Sequence, residues 1–324
     1  MARRAGPKVV ALGGGHGLHA SLSALRRVTE NVTAVVTVAD DGGSSGRLRT
    51  EFGVLPPGDL RMALAALCGD DEWGQTWSRV VQHRFASEGP LDGHALGNLL
   101  IVSLWQQLGE PVAALDWVGR LLGAQGRVLP MCEQPLGIRA QVTERDATRV
   151  VDGQVAVATT TGRVRSVTLV PDDPPACPES VEAIGTADWV VFGPGSWFTS
   201  VLPHLLVPEL ADALVRTPAR RIVTLNLEAQ PGETEGFSPE EHLAVLADHA
   251  PALTVDAVVA DERVTADPDR LAEAAKALGA ELVLARVGRT DGSPRHDPRR
   301  LAAVYRAVFA GGVEENRTET RGTS

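Results

Sequence analysis

A chain of 324 residues with 44% hydrophobic residues is long enough to bury a sizeable core, so its composition indicates a globular protein and excludes a disordered one. The formal net charge is −10 and no long run of Lys or Arg occurs, which argues against nucleic acid as a partner, although a small anionic ligand needs only a local basic pocket. Three widely spaced cysteines without a C-x-x-C motif disfavour both a zinc site and a disulfide framework.

The first predicted elements are a strand, a glycine-rich loop, a helix and a second strand. The first strand is the apolar run in "KVVALGGGHGL", and "HASLSALRRV" follows with Leu18, Leu22 and Leu25 on one helical face. The second strand is "VTAVVTVAD", which ends at two adjacent carboxylates. This order is the beginning of a doubly wound sheet.

The middle of the chain changes character twice. Residues 57–122 contain no convincing strand and are predicted to form a run of helices. Residues 127–171 include "RAQVTER", "DGQVAVATTT" and "RSVTLVP", whose alternating β-type residues predict a small β-rich lobe inserted in the fold.

Strands and helices alternate again in the last part of the chain. Strands are predicted in "ADWVVFGPGS", "RRIVTLNLEAQPGET", "VDAVVAD" and "ELVLARV". Ser238, Pro239 and Glu241 form a capping box that predicts the start of a helix, and further helices are predicted at 268–278 and in "PRRLAAVYRAVFA". We therefore predict one α/β domain over residues 1–312, with a Rossmann-like, doubly wound, mostly parallel sheet and a small inserted β-rich lobe, followed by a disordered polar tail at 313–324.

Neither a targeting segment nor a membrane span is predicted. The N-terminus begins basic, but its apolar run of about five residues is shorter than the apolar region of a signal peptide. No stretch approaches the ~18 apolar residues of a membrane helix. The expected location is therefore the cytoplasm, where the cysteines would stay reduced.

Four predicted strands end in loops of small and polar residues, "ALGGGHGL", "VADDGGSSGR", "FGPGSWFTS" and "LNLEAQPGE". In an open parallel sheet, ligands bind outside the carboxyl ends of the strands. Because these four loops all follow strands, we expect them to lie at one edge of the sheet and to share one site.

The first loop, "GGGHGL", provides backbone N–H groups at the start of a helix, an arrangement that suits a phosphate. It lacks the full dinucleotide-binding pattern, because Leu18 stands where a third Gly or Ala would be. A tight strand-to-helix turn without a ligand is the alternative. His16 could stack on a ligand or simply begin the helix.

The second loop begins with Asp40 and Asp41, for which three interpretations remain open. The two carboxylates could bind a metal ion, or one of them could hold a sugar or ribose hydroxyl, or both could be solvated turn residues. The loop "GGSSG" that follows can surround an anion with amides and hydroxyls, and Arg47 can add a charge-assisted hydrogen bond. A solvated face is the alternative for Arg47.

Other candidate residues lie in three further motifs. Asp59, in "PPGDLRMAL", could be an N-cap, which is the simpler role. In "GHALGNLLI", His94 and Asn98 are one helical turn apart on a buried helix, so their polar groups need a partner or a ligand. "GPGSWFTS" resembles an anion-binding loop, and no Ser-His-Asp arrangement for nucleophilic catalysis is visible.

Taken together, the motifs resemble those of a known family. "GGGHGL", "VADDGGSSGRLR", "PPGDLRMAL", "GHALGNLL", "GPGSWFTSVLPHLL" and "NLEAQPGET" occur in the order seen in the YvcK family, the gluconeogenesis-factor-like proteins of the 2-phospho-L-lactate transferase (CofD) superfamily. The resemblance covers roughly residues 7–312. Two departures lie near the expected ligand: His16 stands where many relatives have Thr, and Glu228-Ala229 stands where relatives often have Met-Thr.

The resemblance implies a Rossmann-like fold with an added lobe and a site for UDP-N-acetylglucosamine and related UDP-sugars. It also implies a cytoplasmic bacterial protein that supports cell shape and peptidoglycan synthesis, especially on gluconeogenic carbon, as a binder or regulator and not as an enzyme. The alternative is a CofD-like transferase that moves a phospholactyl group from a guanylyl donor to a deazaflavin, with Mg²⁺ on the Asp pair. The first glycine loop, which is G-G-x-G-G in that branch, favours YvcK.

The expected partners are a nucleotide sugar, cell-wall synthesis proteins and a second copy of the chain, with Mg²⁺ as the one cofactor considered and Asp40 and Asp41 as its ligands. No catalytic residue is predicted. The residues expected to bind the ligand are Gly13, Gly14, Gly15, His16, Gly17, Asp40, Asp41, Gly42, Gly43, Ser44, Ser45, Arg47, Asp59, His94, Asn98, Gly193, Gly195, Ser196, Thr199, Asn226 and Gln230.

Overall fold

In a computed structural model of the protein, residues 6–144, 147–230 and 232–311 are described. Ten β-strands within these ranges form one seven-stranded and one three-stranded sheet. In chain order the strands are β1 (Val9–Gly13), β2 (Val32–Val36), β3 (Arg127–Pro130), β4 (Gly137–Glu144), β5 (Ala147–Asp152), β6 (Arg163–Val170), β7 (Trp189–Phe192), β8 (Arg220–Thr224), β9 (Ala257–Asp261) and β10 (Glu281–Ala285).

The large sheet has the strand order β3-β2-β1-β7-β8-β9-β10, and every neighbouring pair in it is parallel. The chain moves from β1 outward to β3 and then returns to build the other half of the sheet from β7. The order therefore reverses between β1 and β7, as in a doubly wound fold. The predicted Rossmann-like α/β fold is confirmed.

The helices surround this sheet and begin largely where the sequence predicts them. They are α1 (Gly15–Leu25), α2 (Gly43–Phe52), α3 (Pro57–Leu67), α4 (Glu72–Gln82), α5 (Leu96–Leu108), α6 (Pro111–Leu122), α7 (Gln154–Ala158), α8 (Pro178–Gly185), α9 (Pro208–Arg216), α10 (Pro239–His249), α11 (Pro268–Ala277) and α12 (Pro298–Phe309), with a π-helical turn at Trp197–Val201 and a 3₁₀ turn at Leu202–Leu205.

Seven of the described α-helices begin with proline, so their first residues could be predicted from the sequence. Its fixed φ suits the first helical position, and its missing N–H is not needed there. The capping box of α10 is also present: Ser238 accepts from the amide of Glu241, whose side chain accepts from the amide of Ser238. The four helices predicted over residues 57–122 are confirmed as α3 to α6.

The C-terminal helix α12 closes the described part of the fold against α1. Tyr305 is fully buried, and its hydroxyl lies 3.0 Å from Ser21 Oγ in α1 and 3.0 Å from Thr224 Oγ1 at the end of β8. A buried tyrosine hydroxyl needs such partners. The last helix, the first helix and the middle of the sheet are thus joined by one polar contact inside the core.

The inserted lobe is present, but its predicted start was wrong. Strand β3, at 127–130, pairs in parallel with β2 and belongs to the large sheet, so the antiparallel sheet β5-β4-β6 begins only at Gly137. Part of "DGQVAVATTT" is helix α7 instead of strand. The physical reason is a tertiary contact: the carboxylate of Asp41 accepts hydrogen bonds from the amides of Gln154 and Val155, each at 3.0 Å, and so caps this helix.

The second strand-end loop also differs from its prediction. "GSSGRLRTEF" forms helix α2 in place of an open Gly/Ser loop. Two serines in its first turn are buried and hold neighbouring segments: Ser45 Oγ accepts from the amide of Gly58, and Ser44 Oγ accepts from the amide of Ala95. These long-range contacts favour a helix that local composition does not predict.

The predicted tail at 313–324 lies outside the described residues. Within the described part of the chain, no single helix is long and apolar enough to cross a membrane. Two consecutive short helical segments, Trp197–Leu205 and Pro208–Arg216, together have the length and apolar composition of a membrane span, but the chain bends by 75° between them.

Candidate functional site

Three of the four strand-end loops, together with the segment before α12, line a cleft of about 440 Å³. The loop after β1 contributes His16 and Gly17, the loop after β7 contributes Gly195, and the loop after β8 contributes Asn226 and Gln230. The cleft therefore lies at the point where the strand order reverses, which is where doubly wound proteins bind ligands.

The β1 and β7 loops contact each other at Gly17. A Cβ atom on this residue would lie 2.2 Å from the carbonyl oxygen of Pro194 and 2.3 Å from Cα of Gly195, so only glycine permits the approach. Gly193 and Gly195 have φ values of 69° and 145°, which other residues rarely adopt. The glycines of this motif are thus required by backbone geometry at the cleft wall.

Asn226 holds the β7 loop in place. Its Oδ1 accepts from the amide of Gly195 at 2.9 Å, and its Nδ2 donates to the carbonyl of the same residue at 2.8 Å. The side chain that we predicted to bind ligand therefore positions a loop that lines the cleft.

Ser196 and Thr199 face a buried acid that the sequence analysis missed. The Ser196 hydroxyl donates to Oε2 of Glu233 and also contacts the Thr199 hydroxyl. Glu233 is 2% exposed, and burial raises the pKa of its carboxyl. These hydroxyls are engaged within the protein, so they shape the β7 loop and are not free ligand donors. Glu233 is the last residue of the strand-end loop "LNLEAQPGE", but it was not among the residues predicted to bind the ligand.

Gln230 offers an unused polar atom to the cleft. Its backbone amide donates to Thr234 Oγ1 at 2.8 Å, which orients the loop. Its side-chain Oε1 is buried and has no hydrogen-bond partner among the described residues. A buried carbonyl without a partner is costly, so the loop carries an unsatisfied polar atom beside the cleft.

Basic and imidazole side chains that were not predicted also line the cleft. Arg289, Arg295 and His296 lie in the segment between β10 and α12, and His19 lies in α1. Burial lowers the pKa of both histidines to about 4, so they are neutral at physiological pH. Nε2 of His296 is buried without a partner among the described residues. The only sequence signal for this part of the lining is the cluster of arginines in "RVGRTDGSPRHDPRR".

His94 and Asn98 converge on Ser44, at a second location. Ser44 Oγ lies 3.0 Å from Nδ1 of His94 and accepts from Nδ2 of Asn98 at 3.0 Å. Asn98 also accepts from Nε of Arg61 at 2.9 Å, and all four residues are buried. His94 precedes α5 instead of lying within it, because the helix begins at Leu96, yet the expected common direction of the two side chains is found.

Asp40 and Asp41 have different hydrogen-bond partners. Both carboxylate oxygens of Asp41 accept from the amides that begin α7, whereas Oδ1 of Asp40 accepts from the amide of Gly42 at 2.9 Å. Burial raises the pKa of Asp40, and the negative charge of Asp41 adds to this shift.

Asp59 is a further acid close to Asp40. It lies inside the first turn of α3, whose N-cap is Pro56, so the N-cap prediction for Asp59 was wrong. Burial, followed by the negative charge of Asp40, raises the pKa of Asp59 to about 7. Cβ atoms on Gly14 and Gly58 would lie 2.5 Å from Asp59 Oδ2 and 2.6 Å from Asp40 Oδ2, so both acids sit directly against glycine backbone.

One group within the described residues has a spacing that suits a metal ion, formed by Glu133, Cys177 and Glu179. Burial raises the pKa of the Cys177 thiol to about 11, and Sγ already contacts Oε2 of Glu179. A thiol that stays protonated is a poor metal ligand. We therefore assign no metal to this group.

Nine of the 21 predicted site residues line one of two cavities. The first group lines the cleft at the strand reversal and comprises His16, Gly17, Gly195, Asn226 and Gln230. The second lines an open pocket of about 820 Å³ beside α2 and comprises Asp41, Gly43, Ser44 and Arg47. No residue lines both cavities. The β1 loop contacts the start of α3, because Gly14 lies against the carboxylate of Asp59, and the carboxylate of Asp40 lies against Gly58 of the same helix.

Comparison with known proteins agrees with this architecture. The sequence model of the family described as 2-phospho-L-lactate transferase CofD matches residues 9–287. A Mycobacterium tuberculosis protein provisionally named gluconeogenesis factor is 58% identical over 309 residues, covering 93% of this chain and 90% of its own. The Bacillus subtilis gluconeogenesis factor is 33% identical over 312 residues, covering 92% of this chain and 96% of its own.

A solved structure is also similar. The crystal structure of a UPF0052 family protein from Bacillus halodurans has a TM-score of 0.84 and 33% sequence identity, covering 93% of this chain and 99% of that one. Identities of this size over nearly the whole length extend the match beyond the fold. The chain belongs to the gluconeogenesis factor (YvcK, UPF0052) family of CofD-like proteins.

Proposed function

We propose that the protein binds a nucleotide sugar of the UDP-N-acetylglucosamine type in the cleft between the β1 and β7 loops. The observation that carries the proposal is that Arg289 and Arg295 line the same cleft as the first turn of α1. Helix α1 has no acid of its own in that turn, although the amide of Gly15 donates to the buried carboxyl of Asp59. The two guanidiniums would bind a diphosphate, and the amides of the first turn other than that of Gly15 would add to this.

The remaining lining suits the uncharged parts of such a ligand. Gln230 lines the cleft, and on rotation of its side chain the unpartnered Oε1 would accept an N–H group, which both uracil and an acetamido sugar carry. The side chain of Glu228 lines the cleft and can accept from sugar or ribose hydroxyls. A volume of about 440 Å³ is within the range of ligand pockets.

In the cell, we infer a cytoplasmic regulator that supports cell shape and peptidoglycan synthesis and whose partner is a cell-wall synthesis protein. The family membership and the nucleotide-sugar cleft support this role, because UDP-N-acetylglucosamine is a wall precursor. A regulator of this kind needs a different affinity for its partner in the free and ligand-bound states. Partner binding measured with and without the nucleotide sugar would therefore differ several-fold.

Titration calorimetry and thermal shift with UDP-N-acetylglucosamine test the binding proposal, with NAD as the comparison ligand. A concentration of 100 times the dissociation constant should stabilise the protein by about 2.7 kcal/mol, and NAD should do less. Arg295→Gln should weaken binding about tenfold or more, because a hydrogen bond to a charged group contributes about 1.5–3 kcal/mol. Arg79→Gln is the matched control, since Arg79 is exposed in α4 and donates only to the carbonyl of Gln75. The proposal is contradicted if UDP-N-acetylglucosamine does not bind at millimolar concentration, or if Arg295→Gln and Arg79→Gln lower the affinity equally.

A CofD-like transferase is the second candidate, and the family match favours it. It would move a phospholactyl group from a guanylyl donor to a deazaflavin. Asp40 and Asp59 are the carboxyls that would hold Mg²⁺, because burial raises the pKa of both, the negative charge of Asp40 adds to the shift at Asp59, and a cation would relieve this. A bound Mg²⁺ would stabilise charge on the transferred phosphoryl group. Formation of the deazaflavin product, measured by mass spectrometry above a protein-free control, would establish this activity.

A further inference from the structure

We infer that Asp261, at the carboxyl end of β9, is a positioning residue of the cleft: it holds the segment that carries Arg289 and Arg295 and so places their guanidiniums for a diphosphate. The inference rests on the proposed function, because it concerns the same cleft. Asp261 is 1% exposed and is not itself among the residues that line the cleft. It therefore acts on a ligand only through other residues.

The two arginines lie on a short hairpin at residues 287–297, between β10 and α12. The amide of Asp297 donates to the carbonyl of Val287 at 2.7 Å, and the amide of Arg289 donates to the carbonyl of Arg295 at 2.9 Å. An antiparallel bridge lies between these two hydrogen bonds. Arg289 and Arg295 are therefore directly opposite each other, with their side chains on the same face of the hairpin.

This pairing brings two positive charges together at the cleft. Both arginines are exposed and line the cleft, and neither forms an ion pair with a described residue. The Cβ atoms of directly opposite residues are about 5 Å apart, and like charges placed in this way destabilise a strand pair. Glu228 is the one carboxylate among the lining residues, so the guanidiniums outnumber it. An anion with several oxygens that contacts both guanidiniums would relieve their repulsion.

Asp261 holds the first strand of this hairpin. Its Oδ2 accepts from the amides of Val287 at 2.9 Å and of Gly288 at 2.7 Å, the two residues that precede Arg289. These hydrogen bonds to a carboxylate connect the end of β9 to the hairpin and are stronger than bonds between neutral groups. Val287 and Gly288 are also buried, so the backbone that leads into Arg289 has little freedom.

Arg263 adds a second connection between the same acid and the hairpin. Asp261 Oδ1 accepts from the amide and from Nε of Arg263, at 2.9 and 3.0 Å, and Oδ2 accepts from Nη2 at 3.0 Å. The other terminal nitrogen, Nη1, donates to the carbonyl of Arg289 at 3.2 Å. A Cβ atom on Gly288 would overlap Nη2 of Arg263, so the guanidinium packs against the hairpin backbone. The acid and its guanidinium thus hold three consecutive residues of the hairpin.

The Asp261 carboxylate is engaged entirely within the protein. Burial alone would raise its pKa, but the hydrogen bonds from Arg263 and from the amide of Gly288 hold the pKa well below its usual range, so the group stays ionised at physiological pH. Arginines whose backbone is already fixed lose less freedom when an anion binds, which increases affinity. This is the contribution that we assign to Asp261.

The test is a double-mutant cycle on the full-length protein, with UDP-N-acetylglucosamine and inorganic pyrophosphate titrated separately by calorimetry. Asp261→Asn keeps the size of the side chain but removes its charge and one acceptor oxygen. We expect it to weaken the binding of each ligand at least fivefold in the parent protein and at most twofold in an Arg289→Gln background, because its effect passes through Arg289. A residue that only stabilises the fold would weaken binding by the same factor in both backgrounds.

Asp256→Asn is the matched control. Asp256 precedes the same strand at its opposite end, where its Oδ2 accepts from the amide of Arg221 at 2.7 Å. This variant should leave both affinities unchanged. Hydrogen exchange in the ligand-free proteins gives a second measurement: the amides of Val287 and Gly288 should exchange faster in Asp261→Asn than in the parent protein, and at the parent rate in Asp256→Asn.

Arg263→Gln keeps the inference testable if Asp261→Asn does not fold, because it leaves the buried carboxylate in place and removes only the guanidinium. It should weaken binding at least twofold in the parent protein and leave it unchanged in the Arg289→Gln background. Equal losses in the two backgrounds, or parent affinity in a folded Asp261→Asn protein, would overturn the inference. If pyrophosphate follows the expected cycle while UDP-N-acetylglucosamine does not bind, the proposed function fails and the positioning role stands. If neither ligand binds, both fail.

Discussion

Replacement of Gly17 by alanine is the most direct perturbation of the cleft. The new Cβ would lie 2.2 Å from the Pro194 carbonyl oxygen and 2.3 Å from Gly195 Cα, whereas favourable non-bonded contacts are about 3.5–4.0 Å. Both contacted atoms are backbone, so no flexible side chain can move aside and the β7 loop must separate from α1. Overpacking of this kind costs about 1–3 kcal/mol. For a chain of 324 residues this corresponds to a fall in Tm of about 2–4 °C.

The assay combines thermal unfolding of the ligand-free variant with a titration of UDP-N-acetylglucosamine. Separation of the two loops should lower both stability and affinity, because the loops form adjacent walls of the cleft. Gly185→Ala is the matched control: it lies at the end of α8, and a Cβ there would have no heavy atom within 4 Å. That variant should keep its stability or gain up to about 1 kcal/mol from helix propensity. If Gly17→Ala matches this control in Tm and in affinity, the steric reasoning is refuted.

Two further substitutions test the acids. Asp41→Ala removes the acceptor for the amides of Gln154 and Val155, so it should cost about 1 kcal/mol in urea unfolding and increase hydrogen exchange in α7; unchanged exchange would contradict the capping role. The pKa of Asp59 is raised from 3.8 to about 7, so the folded state loses stability as pH rises through this range. The Asp59→Asn variant has no carboxyl to ionise at this position and so lacks this loss. As pH rises from 5 to 8, its free energy of unfolding should increase relative to that of the parent protein by up to about 3 kcal/mol. A difference between the two proteins that stays constant with pH would contradict the raised pKa.

The sheet was predictable because its strands are apolar runs that end in glycine-rich loops, and because many helices begin with proline. The errors came from contacts between distant segments. Strand β3 has four residues, and nothing local distinguishes its pairing with β2 from membership of the lobe. Helix α7 exists where alternating residues predict a strand, since Asp41 caps it from a position more than a hundred residues away.

The candidate site was predictable where backbone geometry requires glycine, as at Gly17 and Gly195. It was not predictable where two side chains meet through the fold. Asp40 and Asp41 are adjacent in the sequence but accept hydrogen bonds from different segments, and a third acid, Asp59, lies close enough for the charge of Asp40 to raise its pKa. Arg289 and Arg295 follow the last strand without a recognisable motif, so their place in the cleft depends on how β10 and α12 pack.

Net charge and local charge lead to different conclusions about ligands. A net charge of −10 repels an approaching anion, but salt screens this field beyond a Debye length of about 8 Å at physiological ionic strength. Inside the cleft, an anion instead meets Arg289 and Arg295, neither of which forms an ion pair with a described residue. Close contacts of this kind are screened much less. The acidic surface therefore argues against a long polyanion such as nucleic acid, which would cover many carboxylates, while the cleft can accept a small anion that contacts its two arginines.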